Sequence, residues 1–373
     1  MPESARAIRW GNPPWTIDFH PPARMVPEEV DVAVVGGGFS GLSAAASLRR
    51  LDPQKSVALL EAETIGAGAS GHSGGLVLAE TSAGDLPGLG NVLAGFSQIL
   101  RELQIDCDLT FPGVWELGRK NYLPNSPVSW TDSGDLRAVG EVPGGSADPG
   151  KLVSGLARAA DRAGALLIEH ARVENVVFGE TSRLEVGDQQ LRAKHVVIAT
   201  NAQSLEVSGL AGRAAPKFTL AMATEPLTAQ QLEALGLASR RPFYTTDFPY
   251  LWGRLLSNDG VVFGSGLVHL DDWRAFSEID IAAGESAELM SRLEKRVRGL
   301  HPVLRDVRFA HRWGGPILIG DKWRPVFARH PQSSRAVVLG AYAGHGVALS
   351  VYLGRWAADA ALGRKALPEW DTD

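Results

Sequence analysis

The stretch VDVAVVGGGFSGLSAAASLRRL, residues 30–51, decides the fold. It begins as a valine-rich strand, turns through glycines and continues as a helix rich in Ala and Leu. Gly36, Gly38 and Gly41 have the spacing G-x-G-x-x-G: the first makes a tight turn, the second lets the backbone approach a pyrophosphate, and the third lets helix and strand pack closely. A pyrophosphate there would lie at the helix N-terminus, where free N–H groups and the helix dipole favour anions. The stretch therefore predicts a dinucleotide-binding unit.

The segment that follows supports this prediction. SVALLEAE, residues 56–63, is typical of a second buried strand. Strand, helix and adjacent strand then form a βαβ unit with a parallel sheet. Glu61 lies 61 − 41 = 20 residues after Gly41, where a carboxylate that binds ribose hydroxyls is expected. FAD and NAD share this unit, so it does not identify the dinucleotide.

The loop GAGASGHSGG, residues 66–75, distinguishes between the two. Its glycines, with Ser70 and Ser73, make a backbone that can lie against a flat or phosphorylated ligand without side-chain clashes. A simple NAD domain would continue with further βα units instead. The loop therefore favours FAD, and it places one imidazole, that of His72, beside the cofactor.

Similar patterns recur further along the chain. Residues 152–165 predict an amphipathic helix, and 166–179 predict strands. Residues 189–202 read as a hairpin arm that leads into a buried strand. Residues 335–363 predict a strand, a glycine loop and a long helix. Together these segments predict a second part of the same parallel sheet.

The predicted fold is α/β with two domains, because 373 residues exceed the size at which one core usually stops growing. One is a Rossmann-like FAD-binding domain, a parallel sheet flanked by helices. The other is an inserted α+β substrate-binding domain on an antiparallel sheet, because its tracts lack βαβ order. The first domain is assigned residues 1–80, 150–214 and 321–373, and the second 81–149 and 215–320. The first 29 residues, rich in proline and tryptophan, predict an extended arm.

Composition argues against several other classes of protein. The net charge is 37 − 42 = −5 without a basic block, so no nucleic acid is expected as a partner. The chain has one cysteine, and its histidines do not have the spacing of metal ligands. No metal site is therefore predicted. The sequence has no G-x-S-x-G elbow with a matching order of Asp and His, so it does not support a hydrolase. No apolar run approaches the roughly 20 residues of a membrane span. The amino terminus lacks a signal-peptide pattern, so a cytoplasmic protein is expected.

Several segments resemble one known family. They are DVAVVGGGFSGLSAAASL (31–48), LLEAETIGAGASGHSGG (59–75), VVIATNAQS (196–204), HRWGGPILIGDKWRPV (311–326) and GAYAGHGVALSVYLGRWAADAALG (340–363). With them the sequence resembles the D-amino-acid oxidase/glycine oxidase-like (DAO) family of FAD-dependent amine oxidoreductases. It is most similar to the subgroup that contains gamma-glutamylputrescine oxidoreductases. The tracts that would set the substrate match this family only loosely.

The resemblance implies a set of cofactor contacts. The fingerprint glycines would hold the pyrophosphate, Glu61 the ribose, and Val173 the adenine through its backbone. Residues 344–347 would cover the isoalloxazine at a helix N-terminus, which can stabilise the negative charge of a reduced flavin. The residues expected to bind FAD are Gly36, Gly38, Phe39, Ser40, Gly41, Glu61, Ala62, Gly68, Ala69, Ser70, Gly71, His72, Gly74, Gly75, Val173, Ala199, Thr200, Asn201, Gly344, His345, Gly346 and Val347.

His72 departs from the pattern of the subgroup, which has arginine there. In relatives similar to dimethylglycine dehydrogenase, a histidine at about this distance after the ribose glutamate carries the flavin covalently. Two interpretations stay open: a covalent bond from His72 to the flavin, or an imidazole that hydrogen-bonds the loop or caps the flavin edge. Non-covalent FAD is the expectation.

Candidate catalytic residues come from the remaining segments. Tyr250 and Arg254 are at i and i+4 on a predicted strand and share a face with Trp252. Arg254 is a candidate for holding a substrate carboxylate, or else a surface arginine. Trp313 is a candidate wall for an ammonium group, or a core tryptophan. His345 is a candidate for tuning the flavin or touching substrate, or a helix cap.

The function expected is oxidation of a C–N bond in an amine or amino acid by hydride transfer to flavin N5. The imine hydrolyses to an aldehyde or ketone plus an amine, and oxygen or another acceptor reoxidises the flavin. Two alternatives are an NAD(P)-linked dehydrogenase and a non-catalytic or electron-passing FAD-binding subunit of a larger complex. The sequence leaves open the amine, the choice between oxidase and dehydrogenase, and the oligomeric state.

Overall fold

The structure is a computed structural model that describes residues 9–368 and Trp370. The strands, numbered in chain order, are β1 (Glu29–Val35), β2 (Val57–Leu60), β3 (Leu76–Leu78), β4 (Val114–Gly118), β5 (Ser129–Thr131), β6 (Asp135–Val142), β7 (Gly144–Ser146), β8 (Leu166–Ile168), β9 (Asn175–Val177), β10 (Ser182–Val186), β11 (Gln189–Ile198), β12 (Ala214–Thr224), β13 (Phe243–Thr245), β14 (Leu251–Leu255), β15 (Val261–His269), β16 (Phe309–Gly320), β17 (Val326–His330) and β18 (Ser333–Gly340). The helices are α1 (Phe39–Leu51), α2 (Val92–Leu103), α3 (Pro149–Arg162), α4 (Leu205–Ser208), α5 (Ala229–Ala234), α6 (Gly284–Leu300) and α7 (Gly346–Ala361). The parts of the predicted first domain at 1–8, 369 and 371–373 lie outside the described residues, as does the start of the segment searched for a signal peptide.

The first sheet contains the predicted βαβ unit. Its central order is β17-β18-β11-β1-β2-β8, and the pairs from β18 to β8 are parallel. Helix α1 connects β1 to β2. The first half of β11 pairs antiparallel with β10, and its second half runs between β1 and β18. The prediction of a hairpin arm that leads into a buried strand is therefore confirmed.

Helices α1, α3 and α7 cover one face of the first sheet and bury the apolar residues on that face. Helix α1 packs against both α3 and α7, and the side chains of Val32 and Val34 on β1 are buried with theirs. Helix α3 begins at Pro149, earlier than the sequence pattern predicts, because Asp148 caps it by accepting a hydrogen bond from the Lys151 amide at 2.9 Å. A parallel sheet with flanking helices confirms the Rossmann-like prediction.

The second sheet is built from the two inserted tracts. Its order is β16-β12-β15-β14-β13-β4-β6-β5. The pairs are antiparallel, except that β13 runs parallel to β4. Helix α6 packs against β15 and β12. The antiparallel sheet predicted for the second domain is therefore present, with one parallel pair that the sequence did not indicate.

Helix α2 departs from the predicted division of the chain. It lies in the tract 81–149 that we assigned to the second domain, but it packs against α7 of the first. Its apolar side, which includes Phe96, Ile99 and Leu103, is buried in the same core as α1 and α3. The reason is that α7 has apolar surface on more than one side, and α2 covers part of it.

The amino-terminal arm is extended, as predicted, with no regular helix or strand between residues 9 and 28. Two buried tryptophans anchor it. The Trp10 indole donates a hydrogen bond to the Phe276 carbonyl at 2.9 Å, and the Trp15 indole donates one to the Gly71 carbonyl at 2.7 Å. The arm is therefore anchored at two places: at Phe276, beside the second sheet, and at the glycine loop. In the part of the chain that the structure describes, no helix has both the length and the apolar character needed to cross a bilayer.

The crossing of α1 and α7 gives a stability prediction. A Cβ placed on Gly354 of α7 would lie 2.4 Å from the Ser40 carbonyl oxygen of α1. We expect Gly354→Ala to push the helices apart and to lower the free energy of unfolding by about 1–3 kcal/mol, measured by urea denaturation. Gly299→Ala in α6 is the matched control, because a Cβ there meets no atom within 4 Å. That variant should gain up to about 1 kcal/mol from helix propensity, and equal losses in both would contradict the packing argument.

Candidate active site

A large cavity lies between the two sheets. Its volume is about 1220 Å³, above the roughly 300–1,000 Å³ of ordinary ligand pockets. Gly36, Glu61 and Ala199 follow the carboxyl ends of β1, β2 and β11 and line one part of it. The face of the second sheet lines the rest. Ligands of open parallel sheets bind outside these strand ends, and the remaining space is large enough for a second ligand.

The glycine turn shapes the floor of the dinucleotide part. Gly36 has φ +106°, and a Cβ on it would lie 2.6 Å from the Ala199 carbonyl oxygen. A Cβ on Gly41 would lie 1.9 Å from the Gly36 oxygen, so Gly41 lets α1 pack on the turn and does not line the cavity. At the start of α1, the Ser70 hydroxyl accepts a hydrogen bond from the Phe39 amide at 2.9 Å. The glycine loop therefore caps the fingerprint helix.

The Glu61 carboxylate is held at the end of β2. One oxygen accepts from the Gly37 amide at 2.6 Å and the other from the Glu63 amide at 3.0 Å. Burial raises the pKa of Glu61 above its ordinary value. Val173 and Arg172 line the cavity beside it. These contacts fix the carboxylate at the position expected for binding ribose hydroxyls.

Side chains from three elements hold the loop 66–75 through its carbonyl groups. The Trp15 indole donates to the Gly71 oxygen at 2.7 Å, and the Trp313 indole donates to the His72 oxygen at 3.1 Å. The Arg254 Nε donates to the Gly74 oxygen at 2.6 Å. Trp15 lies in the arm, Arg254 in β14 and Trp313 in β16. The loop that lines the cofactor part is therefore held by the second sheet.

The His72 ring lines the cavity within this loop. Its Nδ1 lies 3.0 Å from the Gly68 carbonyl oxygen, which can only accept, so Nδ1 carries the proton. Burial lowers the pKa of His72, which keeps the imidazole neutral at neutral pH. Trp10 packs edge-to-face on the ring at 5.4 Å. One ring nitrogen is thus used by the loop, and Nε2 is its free acceptor.

The turn before α7 carries the second histidine of the site. His345 Nδ1 lies 2.9 Å from the Ser82 hydroxyl, which itself lies 3.0 Å from the Ala343 carbonyl. Because that carbonyl must accept the hydroxyl proton, His345 donates from Nδ1 and keeps Nε2 as an acceptor. Burial lowers the pKa of His345. The neighbouring Tyr342 hydroxyl lies 2.7 Å from the Ser40 hydroxyl, so the starts of α7 and α1 are joined.

Most residues expected at the cofactor are brought together at this cavity. Gly41 lies outside the lining for the reason given above, and Gly71 is buried behind the loop, where its amide donates to the Gly66 oxygen at 3.0 Å. The expected residues that do line the cavity are Gly36, Gly38, Phe39, Ser40, Glu61, Ala62, Gly68, Ala69, Ser70, His72, Gly74, Gly75, Val173, Ala199, Thr200, Asn201, Gly344, His345, Gly346 and Val347.

The residues expected on the substrate side are placed differently. Tyr250 and His345 line the cavity. Arg254 does not: its guanidinium is buried against the Gly74 carbonyl, and burial lowers its pKa to about 10. The expectation that it binds a substrate carboxylate is therefore corrected to a role in holding the loop. Trp313 lines the cavity but is fully buried, and its ring packs edge-to-face on Trp15 at 5.3 Å, so it too supports the loop.

Several cavity residues carry no signal in the sequence. They come from short segments far apart in the chain and belong to no motif, so only the pairing of β4 with β13 and the course of the loops bring them together. Those with polar or aromatic side chains include Glu80, Ser82, Glu116, Lys217, Tyr244, Phe248 and His269.

The cavity fits a large polar ligand. Ser73, Thr200 and Ser350 line it with buried hydroxyl groups that have no hydrogen-bond partner among the described residues. Buried hydroxyls are normally satisfied, so these atoms suit the hydrogen-bonding groups of a dinucleotide. Within residues 9–368 and Trp370, no three His, Cys, Asp or Glu side chains are grouped so that they could hold a metal ion.

Comparison with known proteins defines the class. The family described as FAD dependent oxidoreductase (DAO) matches residues 31–360, and the chain belongs to this family of FAD-dependent enzymes. It is 26% identical to gamma-glutamylputrescine oxidoreductase of Escherichia coli, over 88% of this chain and 83% of the relative. It is 24% identical to the probable oxidoreductase OrdL of Haemophilus influenzae, over 93% and 86%.

Solved structures show the same fold. Glycine oxidase from Geobacillus kaustophilus superposes with a TM-score of 0.72 at 20% identity, over 91% of this chain and 96% of that one. L-proline dehydrogenase from P. horikoshii has a TM-score of 0.71 at 17% identity, over 92% and 97%. At these identities the likeness concerns the fold alone.

The contact between Arg254 and the loop gives a second prediction. Arg254→Met removes the donor to the Gly74 carbonyl, a bond to a charged group worth about 1.5–3 kcal/mol. We expect about tenfold weaker FAD binding, measured by titrating the flavin-free protein. Arg292→Met is the control, because Arg292 is exposed and its ion pair is with Glu288 on the same helix. FAD affinity equal in the two variants would show that the loop does not depend on Arg254.

The mode of FAD attachment can be tested directly. Because Nδ1 of His72 donates to the Gly68 carbonyl, Nε2 is the atom that a covalent bond to the flavin would use. We expect non-covalent FAD, with all flavin released into the supernatant on acid precipitation. Mass spectrometry of the precipitated chain should give the unmodified mass. Flavin retained on the chain in the wild type, and lost in His72→Asn, would instead establish a covalent bond to this residue.

Proposed function

We propose that this enzyme oxidises a C–N bond of an amine or amino acid to an imine, which water converts to an aldehyde or ketone plus an amine. The observation that carries the proposal is the continuity of the cavity. It joins the cofactor residues at the ends of β1, β2 and β11 to the polar and aromatic face of the second sheet. The names of the curated relatives and of the structural neighbours support a small amine or amino acid as the substrate.

The residues that hold the cofactor follow from the site. Gly36 and Gly38 with the start of α1 fit the pyrophosphate, Glu61 fits the ribose, and the loop 66–75 with residues 344–347 fits the flavin. When bound, FAD supplies the acceptor for a hydride from the carbon next to the amine nitrogen. The C–H bond breaks, a C=N bond forms, and the nitrogen loses a proton. Oxygen or another electron acceptor then completes the cycle.

The protein itself must keep the reacting amine of the substrate neutral. The largely apolar cavity disfavours the ammonium form of the reacting nitrogen and so lowers its pKa. His345 is neutral, and its Nε2 can accept the proton that the ammonium releases, while Ser82 keeps the ring in this tautomer. His345 is thus proposed to accept the proton and to position the reacting end of the substrate.

The alternatives have different support. The family uses FAD, and the loop 66–75 replaces the further βα units of a simple NAD domain, so an NAD(P)-linked dehydrogenase is not supported. An FAD-binding subunit that passes electrons would keep the cofactor contacts but would need no second ligand space. The size of the cavity favours the enzyme that oxidises an amine.

An anaerobic screen tests the proposal. We expect at least one member of a panel of amino acids, N-methyl amino acids, monoamines and diamines to bleach the flavin absorbance of the anaerobic holoenzyme. The rate should rise with pH, because the neutral amine is the reactive form. Alcohols with the same carbon skeletons are the control and should leave the flavin oxidised. Bleaching by no amine at all would favour the electron-passing subunit.

A further inference from the structure

The substrate part of the cavity has a negatively charged side, formed by Glu80, Glu116 and Tyr244 and called the acidic wall below. The Tyr244 hydroxyl donates to a Glu116 oxygen at 3.0 Å. Within the part of the chain that the structure describes, no Lys, Arg or His nitrogen lies within 4.0 Å of either carboxylate. Burial, together with the charges of Glu116 and Asp85, raises the pKa of Glu80. Among the described residues no basic side chain therefore neutralises these two carboxyl groups, and a bound cation would favour their ionised form.

Strand register places the acidic wall within the active site. Glu116 pairs with Tyr244, and Tyr244 pairs with Trp252. The same row continues through β15 and β12 to Trp313, which holds the glycine loop. Glu80 is two residues from Ser82, so the Cα atoms of Glu80 and Ser82 are at most about 7 Å apart. Ser82 is the hydrogen-bond partner of His345. A ligand with a few methylene groups can reach both the wall and His345.

Three exposed aromatic side chains lie at the same part of the cavity: Phe248, Tyr250 and Trp323, called the aromatic mouth below. Their exposed fractions are 62%, 41% and 37%. The rings of Phe248 and Tyr250 are 4.1 Å apart, and those of Phe248 and Trp323 are 6.3 Å apart. Clustered exposed aromatic side chains usually mark a binding site, and their faces attract ammonium groups. This is independent evidence for a cationic ligand.

The positions of the basic residues support the same conclusion. Among the described residues that line the cavity, Arg172 and Lys217 are the Arg and Lys side chains. Arg172 lies beside Glu63 and Glu61 at the ribose end. Lys217 is on β12, four strand positions from Glu116 on β4, which is about 19 Å at ordinary strand spacing. A substrate carboxylate beside the acidic wall would meet no positive charge.

We propose that the acidic wall binds a second ammonium group of the substrate, while the first amine is oxidised near His345. The preferred substrate class is then a diamine or polyamine, and the aromatic mouth selects for cations at the entrance. This inference rests on the proposed amine oxidation. It makes Glu116 and Glu80 the residues that set specificity.

A matched set of substrates tests the inference. The set consists of heptane-1,7-diamine, heptan-1-amine and 7-aminoheptanoate, which share the reacting amine end. Their other end is positively charged, neutral and negatively charged, respectively. In anaerobic flavin reduction we expect the diamine to need about tenfold lower concentration than the monoamine for half the maximal rate. The 7-aminoheptanoate should need the highest concentration for half the maximal rate. Diamines of three to eight carbons should show one preferred length, set by the span from the wall to His345.

The preference for the diamine is the ratio of the half-maximal concentrations of monoamine and diamine. Glu116→Gln should reduce this ratio about tenfold, and Glu80→Gln should reduce it in the same direction. Glu141→Gln is the control, because Glu141 lies on the neighbouring strand and pairs with Arg241 outside the cavity lining. If Glu116→Gln fails to fold or to bind FAD, Glu80→Gln in the loop after β3 carries the test. Equal ratios in Glu80→Gln, Glu141→Gln and the wild type would overturn the inference.

Calorimetry separates this inference from the proposed reaction. The diamine is titrated into holoenzyme whose flavin has been reduced with dithionite, so that no turnover occurs. We expect binding in the wild type and in Glu141→Gln, and weaker binding in Glu116→Gln and Glu80→Gln. If no amine reduces the flavin, the proposed reaction fails while calorimetry still decides the acidic wall. If amines react without preference for diamines, the wall is rejected and amine oxidation stands.

Discussion

The hydrogen bonds to the carbonyl groups of the loop 66–75 are the interaction on which the rest of this structure depends. The loop follows the fingerprint strand pair and caps α1 through Ser70. Its own carbonyls are held by Trp15, Arg254 and Trp313, which belong to the arm and to the second sheet. A glycine-rich segment has little side-chain packing of its own and loses much conformational entropy on ordering. The second sheet therefore does two things: it lines the cavity opposite the dinucleotide residues and it orders the glycine loop.

The two ends of the cavity differ in charge in a way that suits two different ligands. The dinucleotide end has the N-terminus of α1, the amides of the glycine turn and Arg172, which favour phosphate groups. The opposite end has Glu80 and Glu116 with an aromatic entrance. An anionic cofactor and the cationic substrate that we propose would thus be attracted to separate regions. His345 lies between them, neutral because burial lowers its pKa.

Local patterns in the sequence predicted the parts of the fold that depend on neighbours in the chain. The β1–α1–β2 unit, the hairpin arm at β10 and β11 and the strand–turn–helix ending in α7 follow from glycine spacing and hydrophobic periodicity. Helix α2 was assigned to the other domain, because its amphipathic pattern shows that it has a partner but not which one. Arg254 was given a substrate role, because strand alternation places it on a face without showing that the loop at Gly74 covers that face.

The sequence by itself predicted that this chain binds a dinucleotide through a Rossmann-like unit and favoured FAD over NAD, and the family match confirms FAD. Both conclusions rest on residues within one short stretch, where backbone geometry allows few alternatives to glycine. Only the tertiary structure decided what lies opposite the cofactor. Glu116 and Tyr244 meet through the parallel pairing of β4 and β13, whose partners are more than a hundred residues apart. Such contacts depend on strand order and register, which the periodicity of a single segment does not encode.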